Sequence, residues 1–171
     1  MIQNLIQAKY FRLYHWTDER NLESIRTHGL LSLRELTARR IQPAAPGANE
    51  VSHELDAASP HALDSYVHLC MTADHPMAYH AKQRGHVKDV RYLSIDKQVL
   101  HREGVMFCDD VANKNGVVPI PIADAAKEAD LLFLCQWNDY KSASVQERLK
   151  RAKRFEILVP TAIETAHVTD L

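Results

Sequence analysis

Hydrophobic and polar side chains alternate with a period of two at residues 11–16, 65–71, 90–95 and 154–160, and these stretches are rich in residues that suit a pleated, half-buried surface. They predict strands. A brief strand at 105–107, a strand-like run at 117–120 that Pro119 pushes to an edge, and a last edge strand at 166–168 complete the set. Helical signals lie between them. Residues 2–9 read as a short helix. Thr17 is placed as an N-cap, with Asp18 and Glu19 in the first turn, Leu22 and Ile25 on the apolar face and Gly29 as the stop. The spacing of Ser32 and Glu35 is a capping box for a helix through Arg40, and that of Ser144 and Glu147 is another. Asp74 caps a helix with Pro76 in its first turn that runs through Tyr79 towards Arg84, Asp96 caps a short one ending at Leu100 or His101, and 123–134 is helical in composition.

From Gln42 to Asp64 the periodicity disappears, and Pro43, Pro46, Gly47, Asn49 and Pro60 predict a long loop. A loop of that length in a compact domain is functional or disordered. A further turn is signalled at Asn113-Lys114-Asn115-Gly116. Strands separated by short helices, several without a long crossover, predict an α+β fold with much antiparallel pairing, in a single domain spanning 1–171.

One position breaks the pattern. The strand at 154–160 carries Glu156 among Phe155, Ile157, Leu158 and Val159. An ionised carboxylate buried without a partner costs several kcal/mol, so Glu156 either points to solvent or faces a cleft. Alternation puts it on one face with Leu158, opposite Phe155 and Ile157, and by itself reads as outward-facing.

Composition narrows the chemistry. The chain has 171 residues and a net charge of −1, so no global field draws it to nucleic acid and any basic footprint is local. Such a footprint exists at Arg148, Lys150, Arg151, Lys153 and Arg154, although a charge run of this kind is ordinarily a solvated helix face. Cys70, Cys108 and Cys135 form no Cys-x-x-Cys pair, which argues for a reducing compartment and against a thiolate zinc site. No apolar run approaches the roughly 18 residues of a membrane span, and residues 1–5 lack the charged and apolar regions of a leader, so a soluble cytoplasmic protein is expected. Glycine-rich phosphate loops, the H-E-x-x-H zinc motif and the G-x-S-x-G elbow are absent, and His75 and His80 are spaced to opposite helix faces; no metal is expected. His15 and Thr17 flank Trp16 where a strand feeds a helix, a place where ligands are commonly held.

Several motifs occur together and in order: Tyr14-His15-Trp16-Thr17 through Asn21-Leu22, Ile25 and His28-Gly29-Leu30-Leu31; Tyr66-Val67-His68-Leu69; His75-Pro76-Met77-Ala78-Tyr79; and Phe155-Glu156-Ile157-Leu158-Val159-Pro160. In this order, from about residue 12 to 160, the chain resembles the DarT family of nucleic-acid ADP-ribosyltransferase toxins, and the region from Val105 to Asn115 also resembles one branch of it. The resemblance implies an ADP-ribosyltransferase fold, two mostly antiparallel sheets forming a central cleft for NAD with flanking helices, and no metal. It implies that Glu156 is catalytic, that His15 hydrogen-bonds the adenosine ribose, and that Thr17 and Asn21 shape the same pocket. Leu30 would line the nicotinamide side and Tyr79 would pack on the nicotinamide ring. Arg40, ahead of Arg39 and Arg34, would clamp the pyrophosphate and orient the nucleophile. Trp137, Tyr140, Arg148, Arg151 and Arg154 would contact single-stranded DNA or RNA.

The activity so implied is NAD-dependent transfer of ADP-ribose to a nucleobase by a monomeric toxin, in a toxin–antitoxin or antiviral defence system, held in check by an antitoxin protein. Two other readings stay open. One is an RNA 2′-phosphotransferase or protein ADP-ribosyltransferase; the other is a degenerate fold that only binds nucleic acid or protein.

Overall fold

In a computed structural model, which describes residues 2–47, 50–127 and 129–171, the chain begins with α1 (Ile2–Gln7), β1 (Tyr14–Asp18), a 3-10 turn at Glu19–Asn21, α2 (Leu22–His28), β2 (Leu30–Leu31), α3 (Leu33–Ala38) and α4 (Glu50–Ala58). A 3-10 turn at Leu63–Ser65 leads into β3 (Tyr66–Cys70), α5 (Pro76–Gln83), β4 (Val90–Ile95), a 3-10 turn at Lys97–His101 and β5 (Met106–Cys108). Then come β6 (Ile120–Pro121), α6 (Ile122–Ala125), α7 (Ala129–Phe133), α8 (Ala143–Ala152), β7 (Glu156–Pro160), β8 (Ala162–Ile163), a 3-10 turn at Thr165–His167 and β9 (Val168–Thr169).

Among the described residues the larger sheet has the order β6-β5-β7-β3-β1-β4-β9 with its pairings antiparallel, and β2 pairs antiparallel with β8 in a second. It is close to dividing at its middle. β3 and β7 share five ladder pairs and β1 and β4 share five, yet β1 meets β3 only at Tyr14↔Cys70. Where the next rungs would be, the imidazole of His15 takes the place of backbone, its Nδ1 3.0 Å from the carbonyl oxygen of His68. The opening between the two halves is where the cleft lies. This is the α+β, two-sheet arrangement that the resemblance implied.

The main core is built from alternate residues of the strands: Leu13 from β1's approach, Val67 and Leu69 from β3, Ile157 and Val159 from β7, with Phe11 and Phe155 fully covered. Each such side chain contributes roughly 2 kcal/mol. On the other face of β7, Leu158 is also fully buried, beneath Leu63 and beside Cys108 and Ala112. β7 therefore has no solvent face, and Glu156 is only 7% exposed.

Several elements differ from the sequence expectations. The loop from Gln42 to Asp64 contains α4. Its periodicity was hidden because the side that faces the protein is polar, with Ser52, His53 and Asp56, while Val51 and Leu55 are exposed. Asn49 lies outside the described residues. Thr17 belongs to β1, and Asp18 caps the following turn instead, accepting from the Arg20 N–H. His75 rather than Asp74 caps α5, while Asp74 pairs with Lys153 at 2.6 Å. Ser142 rather than Ser144 precedes α8. The helix expected over 123–134 is two short ones, the run at 117–120 pairs only as β6, and the last strand is β9, after a 3-10 turn. Ser32 does cap α3, its hydroxyl accepting from the Glu35 N–H at 3.2 Å.

Candidate active site

A cleft of about 940 Å³ opens at the split of the large sheet, lined by His15 and Thr17 of β1, Asn21, Leu30 of β2, Arg40 after α3, Ser52 and Asp56 of α4, His68 of β3, Met77 of α5 and Glu156 of β7. That volume is at the upper end for a small-molecule site.

Glu156 lies at the bottom, in a row across three strands with Cys70 of β3 and Cys108 of β5 directly opposite it. Burial pushes both thiols up to about 12, helped by the nearby carboxylate, so they stay neutral neighbours. Burial alone would raise Glu156 as well. The His68 hydrogen bond, the charges of His68 and His75 and the Ala112 N–H outweigh it and hold the carboxyl below its ordinary value. Oε2 is 3.1 Å from Nδ1 of His68 and accepts the Ala112 N–H at 3.0 Å. Oε1 is 3.7 Å from Nε2 of His75, a side chain 1% exposed. The cleft thus holds an ionised carboxylate, which can stabilise a developing positive charge.

His15 is neutral. Burial drags its pKa down to about 4, against the pull of the His68 carbonyl. A carbonyl only accepts, so Nδ1 carries the proton and Nε2 is left as an acceptor suited to a hydroxyl. The amide of Asn21 donates to Thr17 Oγ1 at 3.1 Å and to the Ala45 carbonyl at 2.7 Å, and accepts the Ala45 N–H at 3.0 Å. Both residues are buried and fix the cleft wall formed by residues 43–47.

Leu30 is positioned by Gly29, whose φ is 74° and whose missing Cβ would stand 2.4 Å from the Ile163 oxygen. Arg40 occupies the C′ position of α3, with Arg40 N–H bonding Thr37 O and Ile41 N–H bonding Leu36 O, the two bonds of a Schellman motif. Its φ is 57°, where glycine is the usual residue. Among the described residues Arg40 makes no ion pair, whereas Arg39 is held by Glu35 and Arg34 by Asp64. Arg34 is bonded to Asp64, a lining residue, but does not itself line the cleft, and Tyr79 is 63% exposed against His80 without lining it.

Trp137 and Tyr140 stand out from the segment between α7 and α8, Trp137 at 68% exposure. The three arginines expected beside them are in ion pairs: Arg148 with Asp130, Arg151 with Asp109 and Asp130, Arg154 with Asp110. The sequence reading did not single out His68, His75 or the Ala112 N–H as partners of Glu156, nor Asp56 as a neighbouring like charge. His68 was visible as the polar member of an alternating strand and His75 as the residue before a helix-opening proline, but neither signal names its partner. Among the described residues no group of three or more His, Cys, Asp or Glu could hold a metal ion. None of the described helices is long and apolar enough to cross a membrane.

No curated protein sequence matches the chain. Among solved structures it is similar to Thermosipho africanus DarTG in complex with ADP-ribose, with a TM-score of 0.69 at 18% identity, covering 92% of this chain and 42% of that one. It is also similar to Thermus sp. 2.9 DarT in complex with ADP-ribosylated ssDNA, with a TM-score of 0.66 at 19% identity, covering 94% of this chain and 79% of that one. The Thermus sp. 2.9 DarT complex with NAD+ gives a TM-score of 0.61 at 20% identity over 94% and 80%. At such identities these likenesses establish the fold, and this chain spans less than half of the Thermosipho chain. The family model described as "DarT: ssDNA thymidine ADP-ribosyltransferase, DarT" matches residues 14–171, so the chain belongs to the DarT family.

Proposed function

We propose that this protein transfers ADP-ribose from NAD to a thymidine of single-stranded DNA and acts as a toxin checked by an antitoxin protein. The observation that carries the reading is a carboxylate kept ionised at the floor of a cleft that also holds His15 and an arginine without an ion pair among the described residues. NAD lies with its adenosine ribose hydroxyl donating to Nε2 of His15 and its pyrophosphate against Arg40, whose planar fork suits phosphate oxygens. Leu30 bounds the nicotinamide end. Arg34 and Tyr79, outside the lining, are assigned no direct contact in this pose.

In the reaction the bond between ribose C1′ and the nicotinamide nitrogen breaks, and nicotinamide leaves with the electron pair. The oxocarbenium-like ribose is stabilised by the Glu156 charge, a thymine ring nitrogen bonds to C1′, and the proton it sheds passes to the carboxylate. Thymidine reaches the cleft only when unpaired, which fits a single-stranded substrate. Trp137 and Tyr140 supply faces on which neighbouring bases stack. The α8 arginines keep their carboxylate partners and serve chiefly to hold α8 in place.

The test is to incubate the protein with NAD and single-stranded oligonucleotides that differ in one base, with RNA counterparts alongside. An adduct heavier by one ADP-ribose on thymidine-containing DNA is expected. Absence of any adduct on DNA or RNA would sink the proposal.

A further inference from the structure

With Glu156 in its ionised form, both ring nitrogens of His68 meet atoms that can only accept. Nδ1 is 3.1 Å from Oε2 of Glu156, and Nε2 is 3.2 Å from the carbonyl oxygen of Leu63. A neutral imidazole has one N–H and would leave one of these contacts as two facing lone pairs; only the imidazolium donates to both. We propose that His68 is a positioning residue for the transferase reaction, an imidazolium that fixes Glu156 as an anion with Oε2 tied and Oε1 presented to the substrate. This inference rests on the transferase reading.

The neighbouring groups support the assignment. Oε2 carries a second donor, the Ala112 N–H at 3.0 Å, so its acceptor capacity is largely taken up. On the other side, Nδ1 of His75 accepts the Met77 N–H at 3.3 Å, which places the His75 proton on Nε2. That N–H has no hydrogen-bond partner among the described residues and lies 3.7 Å from Oε1, a polar support that leaves this oxygen's lone pairs available. The groups facing His68 come from four elements: Glu156 from β7 and Asp56 from α4, both acidic, and His15 from β1 and His75 from α5, whose pKa values are lowered. Burial disfavours the His68 charge, but the bond to Glu156 and the two carboxylate charges raise the pKa to about 9. Asp56 contributes at a distance, through its charge. Its Oδ1 is buried without a hydrogen-bond partner among the described residues, and burial pushes its own pKa up.

The consequence is a division of labour around one carboxylate. Without the imidazolium, the buried Glu156 would be drawn towards its neutral form and would lose the charge that stabilises the ribosyl cation.

The experiment uses the full chain with NAD and a thymidine-containing oligonucleotide, comparing wild type with His68→Gln. Glutamine keeps a donor for Oε2 and removes the charge. We expect kcat to fall roughly tenfold or more while KM for NAD changes little, and the acidic limb of the pH–rate profile to move upward. The alkaline limb expected of wild type near pH 9 should be absent from the variant. A His68→Gln profile with both limbs where wild type has them would overturn the proposal. A direct measurement covers a variant that fails to fold, or a protein with no transferase activity. Nitrogen NMR of the wild-type histidine rings at neutral pH should show His68 with both ring nitrogens protonated. A neutral His68 would overturn the proposal whether or not the protein modifies DNA, whereas a protonated His68 without DNA modification would leave this assignment standing and remove the transferase reading.

Discussion

Arginines on two sides of the molecule are treated differently. On the outer face, Arg148 and Arg151 of α8 and the following Arg154 meet Asp130, Asp109 and Asp110, and Arg148 also lies over the Phe133 ring at 4.4 Å. At the cleft, Arg40 has no ion pair among the described residues and sits in a backbone conformation that glycine would adopt more easily. The basic run that was conspicuous in the sequence is neutralised within the fold, while Arg40 at the cleft has no ion pair among the described residues and sits in a strained backbone conformation. Strain and unpaired charge persist where something else compensates them, and in the proposed NAD pose that is the pyrophosphate. A charge run thus says less about a site than one charge that the fold leaves unanswered.

Removing each in turn probes the contrast. Arg40→Ala should lower kcat/KM for NAD by about a hundredfold, with the melting temperature unchanged; Arg40→Gly should do the same without loss of stability, since glycine tolerates the left-handed conformation. An unaffected KM and kcat in both variants would move the phosphate contact elsewhere.

The pH dependence of stability tests the cleft side independently. The folded pKa of His68, about 9, lies above its ordinary 6.5, so its contribution is fully present below about pH 6.5 and is lost as pH rises through about 9. Stability should fall by on the order of 3 kcal/mol across that window, an effect absent from His68→Gln. Glu156 has the opposite sign: its pKa is depressed, so its contribution holds above the ordinary 4.5 and is lost as pH drops through the folded value.

Smaller effects are expected on the outer face. Trp137→Ala should weaken binding of a single-stranded oligonucleotide by about 1 kcal/mol or a little more and leave stability within about 0.5 kcal/mol. Smallest of all, Arg154→Ala, which breaks a partly exposed pair with Asp110, should cost less than about 1 kcal/mol of stability and leave NAD turnover at the wild-type level. A large loss of turnover in Arg154→Ala would restore α8 as part of the site.

The sequence made the strands and the anomalous Glu156 visible, because composition and period are local properties. It could not say which way Glu156 points. Alternation separates two faces of β7 but does not reveal that Leu63, from a turn far off in sequence, covers the Leu158 side. The His68–Glu156 bond spans 88 residues and no local pattern encodes it. Likewise α4 was missed because it turns a polar side to the cleft, and no local pattern shows that Arg34 is bonded to Asp64 while Arg40, ranked ahead of it, lines the cleft. Ordered motifs across the chain, by contrast, pointed correctly to the family and the fold.

The central claim is that the buried, ionised Glu156 drives the transfer. Glu156→Gln keeps the volume and removes the charge, so the decisive quantity is its initial rate of ADP-ribose transfer to a thymidine-containing single strand at saturating NAD. A fall of at least about a hundredfold, in a protein that still folds and still binds NAD, is the predicted result. A rate within a few-fold of wild type would contradict it.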